Sequence, residues 1–168
     1  VSELRLRKRH RLRQKEISAL AGSIDSALGT KAFDPDDVVD MASAPEYDVI
    51  LVEGMILGFV PRGVPFLTVR GLLRYGATKR FVTVDMGAVR FVYNGADVMC
   101  PGIVASDSSI APGDLVWIRD VNNLKPLAVG EALLGGTSLS SKEKGKAVRS
   151  IHHVGDKLWE LDEERDED

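Results

Sequence analysis

From Phe81 onward the sequence breaks into short apolar runs, each closed by a Gly, Pro or Asn turn, and this texture most narrows what the chain can become. Phe81–Val84, Val98–Val104, Leu115–Arg119 and Lys125–Glu131 are strand-length, with Ala111-Pro112-Gly113-Asp114 and Asn122-Asn123 turning between them. No such run can bury itself alone; evenly spaced, they close on one another as a small barrel. Met86–Tyr93 reads differently, as a helix with Val89 and Val92 inward that ends at Asn94-Gly95. Ser140 to Glu143 has the spacing of a capping box, which predicts a short helical turn. Val148 to Leu161 reads as a hairpin folded about Gly155-Asp156.

The first half mixes both periods. Ile17, Leu20, Ala21, Ile24 and Leu28 follow the i, i+3, i+4, i+7 pattern of a helix that Gly29 stops. Asp34-Pro35-Asp36-Asp37 is a turn, Val38–Met41 and Val49–Val52 are strands, and Glu53-Gly54 turns into a further strand over Met55–Val60. Leu67 to Tyr75 is a short helix with Thr68 as cap and Gly76 as stop. At 168 residues the chain is long enough for two small domains. The expected class is α+β: a small αβ domain over 1–79, a barrel over 80–161, and a polar acidic tail over 162–168 that reads as disordered. No internal repeat is visible.

A single cysteine excludes a disulfide scaffold and points to a reducing compartment. No apolar run approaches the ~20 residues of a membrane helix, and the basic N-terminus leads into no apolar segment of a signal peptide. A cytoplasmic protein with no membrane partner is expected. The net charge of −3 conceals an uneven layout. Residues 1–15 carry seven basic groups against one acid, and residues 160–168 carry seven acids against one arginine. Opposed ends of this kind hint at an anionic partner, and they raise the tail as a competitor for the basic end.

Arginine occupies every odd position from Arg5 through Arg7, Arg9, Arg11 and Arg13, with Leu4, Leu6 and Leu12 on even ones. In a strand this sets five guanidiniums on one face and the leucines on the other. Five like charges gain nothing from a core, so binding a polyanion, RNA foremost, explains the arrangement. A charged edge strand that resists aggregation, or pairing with acids nearby, explains it as well.

Catalytic chemistry has little to stand on. Cys100 with His152 or His153 as base lacks any local feature that would lower the thiol pKa, and it reads as structural. One Cys and three His offer no metal-ligand spacing, and no phosphate-cradling glycine motif is present. Trp117 and Trp159 sit among apolar residues and read as core rather than as base-stacking platforms. Neither an enzyme nor a cofactor is expected.

The stretch Asp85-Met86-Gly87-Ala88-Val89-Arg90-Phe91-Val92-Tyr93-Asn94-Gly95-Ala96-Asp97-Val98-Met99-Cys100-Pro101-Gly102 resembles a PUA domain, and most closely those of the malignant T-cell-amplified sequence and ligatin family. Leu72-Leu73-Arg74-Tyr75 and Ile151-His152-His153 with Leu158-Trp159 fall in the same register. The arginine-alternating strand and the acidic tail lie outside the resemblance. It implies a pre-PUA domain followed by a PUA β-pseudo-barrel. It also implies non-catalytic RNA binding in translation, to tRNA or rRNA, on the small ribosomal subunit with a SUI-type partner supplied in trans.

By the same resemblance, Gly87, Arg90, Asn94, Gly95 and Ala96 form one wall of an RNA groove, with Met99, Pro101 and Gly102 on the adjoining strand and Arg90 as a phosphate ligand. Lys142, Lys144, Lys146 and Arg149 line the opposite wall. The plainer readings are that the glycines satisfy turns and that the lysines form a solvated face. Two alternatives stay open: an RNA-binding subunit that accompanies an RNA-modification enzyme, or an interaction module that docks an acidic partner through the basic strand.

Overall fold

The computed structural model describes residues 5–141 and 143–161. They divide into two compact units, one containing residues up to Ala77 together with those from Lys157 onward, the other spanning Thr78–Asp156.

The first unit is an antiparallel sheet in chain order, β1 (Arg7–Arg11), β2 (Val39–Ser43), β3 (Asp48–Val52), β4 (Met55–Val60) and β5 (Phe66–Leu67). Helix α1 (Gln14–Leu28) links β1 to β2 and buries Ile17, Ala21, Ile24 and Leu28, the predicted stripe apart from half-buried Leu20. Gly29, in the left-handed conformation, closes it. Val49 to Val52 are all buried. Consecutive strand residues point to opposite faces, so both faces of the sheet are covered there.

Helix α2 (Val69–Tyr75) is capped by Thr68, whose hydroxyl accepts from the Gly71 N–H at 3.2 Å and donates to the Ile56 carbonyl at 3.2 Å. A side chain at Gly71 would drive into the Leu57 carbonyl, so glycine is what lets α2 lie this close to β4.

Residues 157–161 are helical and belong to this unit. The Arg70 guanidinium lies 3.9 Å from the centre of the Trp159 ring and donates to the Trp159 carbonyl at 3.3 Å. This corrects the expected 148–161 hairpin and the placement of 157–161 in the barrel. After Gly155 the buried Leu158 packs from a helical turn, and no return strand forms.

The basic strand also departs from expectation. Lys8 has φ +54°, and the pairing advances from Arg7 opposite Ser43 to His10 opposite Met41, so β1 carries one extra residue. This bulge interrupts the period of two. Arg9 and Arg11 then donate through Nε to buried Asp40, at 2.8 and 2.5 Å. Burial would raise the Asp40 carboxyl, but the two guanidiniums outweigh it and hold it below the usual carboxylate range. Arg13 has left the strand and is the N-cap of α1, its N–H donating to Glu16 at 3.1 Å.

The second unit is a six-stranded sheet ordered β7 (Val98–Met99), β11 (Lys146–His153), β10 (Pro126–Ala132), β9 (Leu115–Asp120), β6 (Phe81–Val84) and β8 (Ile103–Ser106). Pairing is antiparallel except between β6 and β9. The edge strands β7 and β8 are joined by only the 3₁₀ turn Cys100–Gly102. Three residues reach at most ~11 Å, whereas six flat strands would set the edges ~24 Å apart. The sheet therefore curls until its edges nearly meet, and the expected pseudo-barrel follows.

Val82, Val84, Val92, Ile103, Val116, Ile118 and Val148 are among the side chains that fill it. The predicted single extended run Val98–Val104 is thus two strands on opposite edges, broken where Pro101 withholds a ladder donor. The predicted turn at Ser140–Glu143 lies earlier, at Gly136–Ser140. Cys100 is buried in the 3₁₀ turn, and Trp117 is buried with its indole N–H donating to the Lys79 carbonyl at 2.8 Å.

Candidate nucleic-acid interface

Helix α3 (Met86–Tyr93) starts at Asp85, whose carboxylate accepts from the Ala88 N–H at 2.9 Å. The Asp85 N–H donates to the Gly102 carbonyl at 2.9 Å. This ties the start of the helix to the turn that joins the barrel's edges. A groove of about 620 Å³ opens between them. Val92 and Val98 are its buried lining, and Phe91, Met99 and Pro101 stand exposed along it. Gly87, Ala88, Ala96 and Gly102 narrow it with small residues, and Asp85, Asp97 and Lys146 supply its charge. Phe91 is 52% exposed, and the Arg90 guanidinium lies 4.9 Å from its ring centre. Lys146 Nζ sits 3.2 Å from Asp97 Oδ2, while Asp97 Oδ1 accepts from the Ser150 N–H at 2.9 Å.

Of the residues singled out in the sequence, Gly87, Ala96, Met99, Pro101, Gly102 and Lys146 line this groove. Arg90 borders it through Phe91. Asn94 and Gly95 lie past the C-terminal end of α3. Gly95 has φ +86°, and a Cβ there would stand 2.8 Å from His153 Nε2, so its glycine is required by backbone and packing together. Lys144 lines a neighbouring cleft of about 430 Å³ that also takes in Lys146. Arg149 reaches Glu131 at 2.8 Å, on the barrel strands and away from the groove lining. Lys142 lies outside the described residues.

In the first unit, Arg5 and Arg7 border a shallow cleft with Ser43, Ala44 and Pro45. Arg9 and Arg11 are engaged by Asp40, so the single five-arginine face does not form.

Phe91, Ala88, Val98, Asp85 and Asp97 were not singled out. Phe91 carried a readable signal: it stands off the Val89–Val92 stripe, where an amphipathic helix has no core reason for an aromatic ring.

Among the described residues no cluster of three or more His, Cys, Asp or Glu side chains could hold a metal ion, and no helix is long and apolar enough to cross a membrane.

A curled barrel whose edge turn packs against a capped helix defines a PUA domain, and the PUA family model matches residues 80–154. PUA domains are an RNA-binding class. An uncharacterized protein of Methanocaldococcus jannaschii is 36% identical over 146 residues, 87% of each chain. Translation machinery-associated protein 20 of Saccharomyces cerevisiae is 39% identical over 84 residues, 46% of each chain, so about half of the yeast protein's length is matched. The crystal structure of a hypothetical protein from Pyrococcus horikoshii superposes with a TM-score of 0.81 at 32% identity, covering 92% of this chain and 99% of that one. Malignant T-cell-amplified sequence 1 of Rattus norvegicus is 30% identical over 118 residues, 68% of this chain and 65% of that protein. The yeast relative is by name a protein associated with the translation machinery.

Proposed function

We propose that this chain is a non-catalytic RNA-binding protein that takes tRNA or rRNA in translation, with its first unit serving as the pre-PUA domain. The observation that carries this reading is an exposed aromatic ring on an apolar groove with cations at hand, Phe91 next to Arg90 and Lys146 on the same lining. RNA readers stack splayed bases on aromatic faces and hold the backbone with cations, and this groove offers both. Gly87 and Gly102 keep its rim low enough for a sugar to approach. Arg5 and Arg7 give the first unit a polyanion contact of its own. A small ribosomal subunit and a SUI-type partner in trans form the setting that the family suggests.

The test is a fluorescence-anisotropy titration of bulk tRNA and a small-subunit rRNA fragment across a salt series. Wild type is compared with Arg90→Ala and with Arg5→Gln/Arg7→Gln. Salt-dependent binding is expected, with a log–log slope near −0.7 per phosphate contacted, weakened by both variants. No binding at low salt overturns the reading.

A further inference from the structure

The groove does not end at Lys146. The same residue lines the neighbouring cleft of about 430 Å³. The 3₁₀ turn between β7 and β8 is the ridge between the two, with Pro101 and Gly102 on the groove side and Cys100 on the cleft side. The two hollows differ in chemistry. The groove is lined mainly by apolar groups, whereas the cleft, beside Cys100 and Leu134, presents Ser138, Ser141, Lys144 and Lys146 with, among the described residues, a single acid, Glu143. All five of the polar side chains are on exposed residues. Two hydroxyl groups and two ammonium groups around one hollow match a phosphate, with Lys146 turning to it from Asp97.

We propose that this cleft is a phosphate subsite. The RNA strand whose base occupies the groove crosses Lys146 and sets its next backbone phosphate among Ser138, Ser141 and Lys144. This assignment rests on the RNA-binding reading of the groove. It makes the ligand at least two consecutive nucleotides of single strand, with Lys146 at the step between them. A duplex edge could not fill both hollows, because its bases stay stacked inside the helix.

The experiment uses the full chain and a fluorescein-labelled, unstructured single-stranded oligoribonucleotide of mixed sequence, titrated at several salt concentrations. Lys144→Ala is expected to weaken binding about three- to tenfold and to flatten the salt slope by about 0.7, the loss of one phosphate contact. Ser138→Ala/Ser141→Ala weakens binding with little change in slope, because hydroxyls release no counterions. Phe91→Ala also weakens binding and leaves the slope unchanged. If Lys144→Ala and Ser138→Ala/Ser141→Ala match wild type in affinity and slope while Phe91→Ala weakens binding, the cleft assignment fails and the RNA reading stands. If wild type binds no oligoribonucleotide at low salt, both fail together.

Discussion

Lys146, which lines both the apolar groove and the neighbouring cleft, forms an ion pair with Asp97 of the groove, Nζ to Oδ2 at 3.2 Å. Lys146 is exposed and Asp97 half-buried, so the pair's own contribution to stability is small. Its consequence is positional: the carboxylate holds the ammonium back from an incoming phosphate.

Asp97→Asn should therefore tighten RNA binding. The asparagine side-chain oxygen still accepts from the Ser150 N–H, so β11 keeps its tether. The released Lys146 gains a phosphate contact, and affinity in low salt should rise about two- to fivefold with a steeper salt dependence. Anisotropy titration checks this; weaker binding would assign Asp97 to the ligand rather than to Lys146.

Gly95→Ala should destabilise the PUA domain. The position combines φ +86° with a Cβ 2.8 Å from His153 Nε2, and the ring is anchored where its Nδ1 meets the Val154 carbonyl at 2.9 Å. A loss of about 1–3 kcal/mol is expected in urea unfolding. Unchanged stability would mean that the loop after α3 shifts at no cost.

Asp40 gives the first unit an acid-sensitive clamp. Arg9 and Arg11 hold its folded-state carboxyl below the usual value despite burial, so it takes up its proton at lower pH than in the unfolded chain, where the value is about 3.9. The clamp's stabilisation is complete above that value and is lost as pH falls through the lower folded-state one. Asp40→Asn should cost about 1–2 kcal/mol at pH 7, discounted because both arginines are partly exposed. The gap from wild type should close toward pH 3 in urea melts. A gap of equal size at both pH values would place the effect elsewhere.

The elements that local chemistry dictates were legible in the sequence. Thr68 caps α2, Gly29 closes α1, and Glu53-Gly54 turns β3 into β4, each through a side chain or turn within a few residues. What escaped was set by distant partners. The bulge at Lys8 and the capture of Arg9 and Arg11 depend on Asp40, about thirty residues away. Residues 157–161 are helical against Arg70, 89 positions before Trp159. Val98–Val104 has a strand's composition throughout, and only closure of the barrel splits it between two edges. At the groove, the resemblance pointed to Gly87, Ala96, Met99, Pro101 and Gly102 but not to Phe91, whose place off the Val89–Val92 stripe was the one local signal for it.

Photo-crosslinking tests the central claim most directly. The full chain is bound to an oligoribonucleotide carrying 4-thiouridine, irradiated, digested and mapped by mass spectrometry. The account predicts crosslinks on the segments carrying Phe91 and Met99–Gly102, lost in Phe91→Ala. Crosslinks confined to Arg5–Arg13, with 85–102 unmodified, would contradict it and leave the barrel groove without an RNA role.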